Sequence, residues 1–127
     1  MIALTEYQHF YDYRIMETKN AISALSALAQ ETRLDVFRLL MQCLPDGMPA
    51  GDLAEKFGVP ASTMSTHLAI LTRAGLTRSD RDGRTIYYAA ELDGIKSLLE
   101  FLVKDCCNGK SRDCNKLLAA ALSPCCS

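Results

Sequence analysis

Tryptophan is absent from this 127-residue sequence, and only 4 Pro and 7 Gly interrupt it. So few breakers exclude a low-complexity chain, and 49% hydrophobic against 23% charged residues excludes disorder over the whole length. The length suits one compact domain with a real core and is too short for two comfortable ones. No apolar run approaches the ~20 residues of a spanning helix. The N-terminal MIALTEYQHFYDYRI lacks both the basic start and the long apolar stretch of a secretory signal. A cytoplasmic protein with no membrane partner is the expectation. Cys-x-x-Cys is missing, as is a Cys-His-Asp set near a pocket-forming loop, so an enzyme is not expected. Strong positive charge is lacking too: the net charge of −1 does not advertise nucleic acid.

What the chain has in quantity is cysteine. Cys43, Cys106, Cys107, Cys114, Cys125 and Cys126 make six, five of them in the last fifth of the chain. Structural disulfides are disfavoured in a reducing compartment, so the C-terminal cluster reads as metal, metalloid or redox chemistry. Cys43 ends an apolar helix face and reads as a small buried hydrophobe.

Periodicity divides the remainder. Residues 1–17 form an aromatic-rich N-terminal arm with Tyr7, His9, Phe10, Tyr11 and Tyr13, a segment that would pack on a partner subunit; Met16 is an alternative start. A first helix is expected from Thr18, its N-cap, to Ala29, with a stripe of Ile22, Leu25 and Leu28 and small Ala residues beside it. A second should run from Gln30 or Glu31 to Cys43, burying Leu34, Phe37, Leu40 and Met41, and stop at Pro45-Asp46-Gly47. A short helix from Pro49 to Phe57, closed by Gly58, leads through Val59-Pro60 into a longer one that ends at Gly75. Two helices joined by about three residues including Gly form a helix-turn-helix signal.

The period then changes. Leu76–Arg81, Asp82-Gly83 and Arg84–Ala90 read as strand, two-residue turn and strand, since Asp-Gly supplies the positive φ of a type I′ hairpin. A hairpin directly after a helix-turn-helix is a wing. The last helix, Leu92 to Asp105, carries Ile95, Leu98, Leu99 and Leu102. Because the earlier helices already supply a core, it is expected to pair with its copy, together with the first helix, in a homodimer. The fold class expected is mainly α with a β-hairpin wing: a winged helix-turn-helix over residues 18–105, homodimeric through the first and last helices. Residues 106–127 form a Cys-rich tail.

The stretch PASTMSTHLAILTRAG sets Ser62, Thr63, Ser65, Thr66 and His67 on the second helix of the pair, while Met64, Leu68, Leu71 and Ala74 bury its other side. Short uncharged polar side chains suit close approach to base edges in the major groove of double-stranded DNA. Two readings of His67 stand, a DNA contact and a structural residue bonded to the backbone. Arg73, Arg78, Arg81 and Arg84 against Asp80 and Asp82 give this region a local +2. Those arginines are the expected phosphate or minor-groove contacts.

ALAQETRLDVFRLL (Ala27 to Leu40), GDLAEKFGVPASTMSTHLAILTRAGL (Gly51 to Leu76) and RDGRTIYY (Arg81 to Tyr88) together resemble the ArsR/SmtB family of metal- and metalloid-responsive winged-helix repressors. The resemblance spans roughly residues 18–107. It implies a homodimer that binds an inverted-repeat operator and lets go when an ion binds. Thiol-using relatives often carry Cys-x-Cys on or before the recognition helix, and zinc-type relatives use Asp and His on the last helix. Here the first regions have no cysteine and Leu92–Asp105 has no histidine. What remains is similar to arsenic-responsive members with a vicinal Cys pair beyond the last helix and a third Cys further on, which carries over to Cys106, Cys107 and Cys114.

Soft trivalent arsenic, and antimony like it, prefers thiolates to nitrogen or oxygen and takes three sulfurs. Lys104, Lys110 and Arg112 would favour the thiolate forms. Cys125 and Cys126 either form an accessory site or belong to a tail without function. A thiol redox switch of the same fold and a cytosolic metalloid carrier are the alternatives.

Overall fold

The computed structural model describes residues 16–104 and Lys116. Residues 1–15 of the arm and the thiols of Cys106, Cys107, Cys114, Cys125 and Cys126 lie outside the described residues. Of the described residues, Thr18 to Ile95 form one compact unit, and Met16, Glu17 and Lys96 to Lys104 belong to a second. The elements are α1 (Thr18–Leu28), α2 (Glu31–Gln42), β1 (Met48–Pro49), α3 (Ala50–Phe57), α4 (Ala61–Arg73), β2 (Thr77–Asp82), β3 (Thr85–Ala90) and α5 (Leu92–Val103). The architecture is that of a mainly helical winged helix-turn-helix.

The core of the first unit is built by α2, α3, α4 and the wing, with Val36, Leu40, Leu53, Met64, Leu68, Leu71 and Leu76 fully buried. Each such side chain contributes roughly 1.5–3 kcal/mol through removal from water. α1 packs against α2 and α4, α2 against α4 and β3, and α3 against α4.

α1 corrects the expected stripe. Its inward residues are Ala21, Ala24 and Ala27, whereas Ile22 and Leu25 are 61% and 44% exposed. The small face permits close approach of α1 to its neighbours, and the large apolar face is left outside. α2 differs in the same way: Val36, Phe37 and Leu40 are buried, Met41 is half-buried and Leu34 is exposed. Its N-cap is Gln30, whose side chain accepts from the Arg33 N–H. Thr18 is the first helical residue of α1 rather than a residue preceding it.

Gly58 makes the turn between α3 and α4. At φ 64 it lets Val59 N–H donate to Ala54 O at 3.1 Å and Gly58 N–H to Glu55 O at 3.2 Å. That pattern satisfies the carbonyls at the end of α3. A Cβ there meets nothing within 4 Å, so the cost of Gly58→Ala is backbone strain alone. Chemical denaturation should show a loss of about 1–2 kcal/mol, and an unchanged midpoint would contradict this account of the turn.

The sheet order is β1-β3-β2, all antiparallel. β1 is only two residues, and its Pro49 is tolerated because β1 is an edge. The wing turn lies one residue later than the Asp-Gly signal places it. Asp82 pairs with Thr85, so Gly83 (φ 65) and Arg84 form the turn and Asp82 ends β2. β2 is anchored to α4 by the hydroxyls of Thr72 and Thr77, 2.8 Å apart, with Thr77 buried.

α5 ends at Val103, with Lys104 in a turn. Leu98 is buried, Ile95, Leu99 and Phe101 are half-buried, and Leu92 and Leu102 are exposed. Lys104 lies over the Phe101 ring, 5.3 Å from its centroid. No helix of the described residues is long and apolar enough to cross a membrane.

Candidate nucleic-acid interface

α4 divides cleanly by side. Met64, Leu68 and Leu71 are fully buried, while Ser62, Ser65, Thr66, Ala69 and Arg73 are exposed. At 3.6 residues per turn these five form one stripe along the helix, with exposed Thr63 on its flank. The N-cap of α4 is Pro60, with no side-chain cap bond. Ser62 and Thr63 therefore lie inside the first turn and are not spent as caps. Backbone N–H groups at such an end suit an anion, as a DNA phosphate would supply. Thr66 Oγ1 donates to Ser62 O at 3.1 Å, so its hydroxyl meets an outside partner only as an acceptor unless it rotates.

His67 is set apart from the stripe. It is half-buried, and its Nδ1 lies 3.3 Å from the Arg33 guanidinium on α2. Burial first, and the Arg33 charge second, hold its pKa below the ordinary 6.5. The structural reading of His67 expected a backbone partner; the partner observed is the Arg33 side chain instead. Sequence reasoning missed Arg33: it follows Thr32 in a helix whose periodic signal is carried by Phe37 and Leu40.

The wing arginines do not act alike. Strand alternation puts Arg81 with Ser79 on one face and Arg78 with Asp80 and Asp82 on the other. The second face forms a cleft lined by Pro45, Asp46, Arg78, Asp80, Asp82 and Tyr87, whose carboxylates would repel phosphate. Arg78 is exposed, but it is bonded within the protein. Its guanidinium donates to Ala90 O at 3.0 Å and to Pro45 O at 3.4 Å, tying the β1 approach to the base of the wing. Arg81 and Arg84 are exposed near the tip. Removing either should lower the salt slope of DNA binding by about 1. Arg78→Ala should leave that slope alone, and a drop equal to that of Arg81→Ala would contradict the division of faces.

Among the described residues no three His, Cys, Asp or Glu side chains are grouped so as to hold a metal ion. Cys43, at the C-cap of α2, is half-buried.

Comparison with known proteins accords with this geometry. A profile described as a helix-turn-helix domain matches residues 28–80, from the end of α1 into β2. The transcriptional activator HlyU of Vibrio cholerae is 30% identical over 82 residues, 65% of this chain and 73% of HlyU. The solved structure of an ArsR-like transcriptional regulator from Rhodococcus sp. RHA1 is 26% identical with a TM-score of 0.60, covering 83% of this chain and 92% of that one. The chain belongs to the ArsR family. It is a DNA-binding transcription regulator, not an enzyme. A homodimeric winged helix-turn-helix domain from Mycobacterium bovis, a possible ArsR-family regulator, is 26% identical with a TM-score of 0.56, covering 67% of this chain and 77% of that one. HlyU has also been solved in a reduced form, 29% identical to this ArsR-family chain with a TM-score of 0.52. Of two further curated regulators the chain spans 58% and 62% of the length.

Proposed function

We propose that the chain is a cytoplasmic homodimeric repressor, released from an inverted-repeat operator by trivalent arsenic, or antimony, bound to Cys106, Cys107 and Cys114. The observation that carries the DNA half is the α4 stripe, polar and uncapped on the side opposite Met64, Leu68 and Leu71. Support for the dimer comes from the exposed Ile22, Leu25, Leu92 and Leu102 on the first and last described helices. A twofold axis sets the two α4 copies against half-sites about one helical turn apart.

Support for the inducer is the donor set. Vicinal Cys106 and Cys107 with Cys114 a few residues on provide three soft thiolates, the coordination a trivalent metalloid takes. When bound, the ion cross-links these three positions. Cys125 and Cys126 are either an accessory pair or part of a tail without function, and their single replacement decides which. The second reading, a redox switch at the same thiols, draws on HlyU, whose structure has been solved in a reduced form. Oxidation of vicinal thiols would follow exposure and thiolate character.

Duplex selection from a random pool, followed by arsenite stoichiometry on the reduced protein with each cysteine replaced singly, tests both halves. Symmetric half-sites are expected, with one arsenic per Cys106–Cys107–Cys114 set. Retention of full stoichiometry in Cys107→Ser would overturn the site, and peroxide release without an arsenite response would favour the redox switch.

A further inference from the structure

Arg33 stands at a joint between three helices. Its Nε donates to Ala27 O, in the last turn of α1, at 2.7 Å. Its Nη1 lies 3.3 Å from His67 Nδ1 on α4. Its backbone N–H donates to Gln30 Oε1 at 2.8 Å, which fixes the start of α2. One side chain thus bonds the helix with the exposed apolar face to the helix with the polar stripe. A guanidinium has only donors, so the bond to His67 requires a bare Nδ1 and a neutral ring protonated at Nε2.

We propose that Arg33 and His67 are positioning residues for DNA binding: their bond fixes α4 against α1, and a proton on His67 breaks it and weakens the grip on DNA. The proposal rests on the reading of α4 as the helix that meets DNA. Protonation removes the acceptor and places a second cation beside Arg33, so the tie turns into a repulsion. Of the charged groups carried by α1, α2, α3 and β2, the elements packed on α4, Arg33 is the one that acts on His67. The imidazole pKa is lowered accordingly, by burial and then by Arg33.

The sign follows. With the folded value below the ordinary 6.5, the neutral, bonded form is fully present above about pH 6.5. The tie is then lost as pH falls through the folded value. Linkage makes the effect reciprocal, so DNA lowers the His67 pKa further. If His67 instead touched a phosphate, its proton would strengthen binding, and acidification would act the other way.

The test is the affinity for a selected duplex between pH 8 and pH 5.5, for wild type, His67→Asn and Arg33→Lys, with the imidazole titration followed by NMR. The Asn amide oxygen is attached to Cγ as Nδ1 is in histidine, so it accepts from Arg33 at every pH and keeps the joint. Wild type should lose about fivefold or more in affinity on acidification, in step with the His67 titration, while His67→Asn holds the high-pH affinity throughout. His9, the other histidine, is common to both and cancels in the comparison. Arg33→Lys keeps the charge but not the fork that reaches both Ala27 O and His67 Nδ1, so it should weaken binding even at pH 8, while His67→Asn stays intact. Tighter wild-type binding at low pH, or parallel profiles for wild type and His67→Asn, overturns the positioning role while leaving DNA binding intact. A wild type that binds no duplex at any pH overturns the DNA reading, and the positioning role with it.

Discussion

A chain carrying Ile22→Glu and Leu25→Glu is expected to remain folded, run as a monomer and bind its operator about 10²–10⁴-fold more weakly than the parent. Both side chains project from α1 into solvent, while the helix is held by Ala21, Ala24 and Ala27 on its other face. Charge at these positions therefore leaves the interior of the unit untouched, and surface changes of this sort cost within about 0.5 kcal/mol. What they remove is an apolar surface that water exposes only at a cost and that a second copy would cover. Without the pairing, each α4 meets its half-site as an independent event, and the gain from an effective concentration disappears. Sedimentation velocity and anisotropy on the selected duplex measure the two consequences. A double variant that stays dimeric with parental affinity would move the interface elsewhere.

The second large effect is expected inside the same unit. Leu68→Ala should cost about 2–5 kcal/mol of folding stability, because Leu68 is fully buried at the centre of the inner face of α4. α4 is packed by α1, α2, α3 and β2 at once, which leaves little freedom for the cavity to collapse. Against a typical total of about 5–15 kcal/mol, that is enough to loosen the whole unit. Denaturant midpoints for Leu68→Ala beside Ser65→Ala make the comparison. Ser65 sits on the outer stripe, so its loss should change DNA affinity and leave the midpoint nearly where it was. Equal midpoints for the two variants would contradict the assignment of inner and outer faces.

Much of this was legible in the sequence, for physical reasons that also mark where it stopped. Met64, Leu68 and Leu71 recur at helical spacing and turned inward as their periodicity requires. Thr85 to Ala90 formed a strand because β-branched and aromatic residues fit a pleated surface. α1 was legible as a helix but not in its orientation. It carries two apolar stripes, one of Ala and one of Ile and Leu, and periodicity cannot tell which one meets the chain's own core. Close packing chose the small stripe. The wing turn shifted by one residue because the pairing of Asp82 with Thr85 fixes the register, and Asp-Gly matches more than one turn frame. Met48–Pro49 is too short to leave any pattern. Arg33 with His67, 34 positions apart, and Arg78 with Pro45, 33 apart, are partnerships that no local window contains.

The function proposed for the tail turns on whether thiols at one end of the chain govern what α4 holds. Titrating arsenite into the reduced protein bound to its selected duplex measures this most directly, with wild type and the Cys106→Ser, Cys107→Ser double variant side by side. The account predicts that wild type loses about 5–150-fold in operator affinity as arsenite saturates, the range of ordinary coupling between two sites. The double variant should stay bound. Release of both proteins at the same arsenite concentration, or of neither, would contradict it.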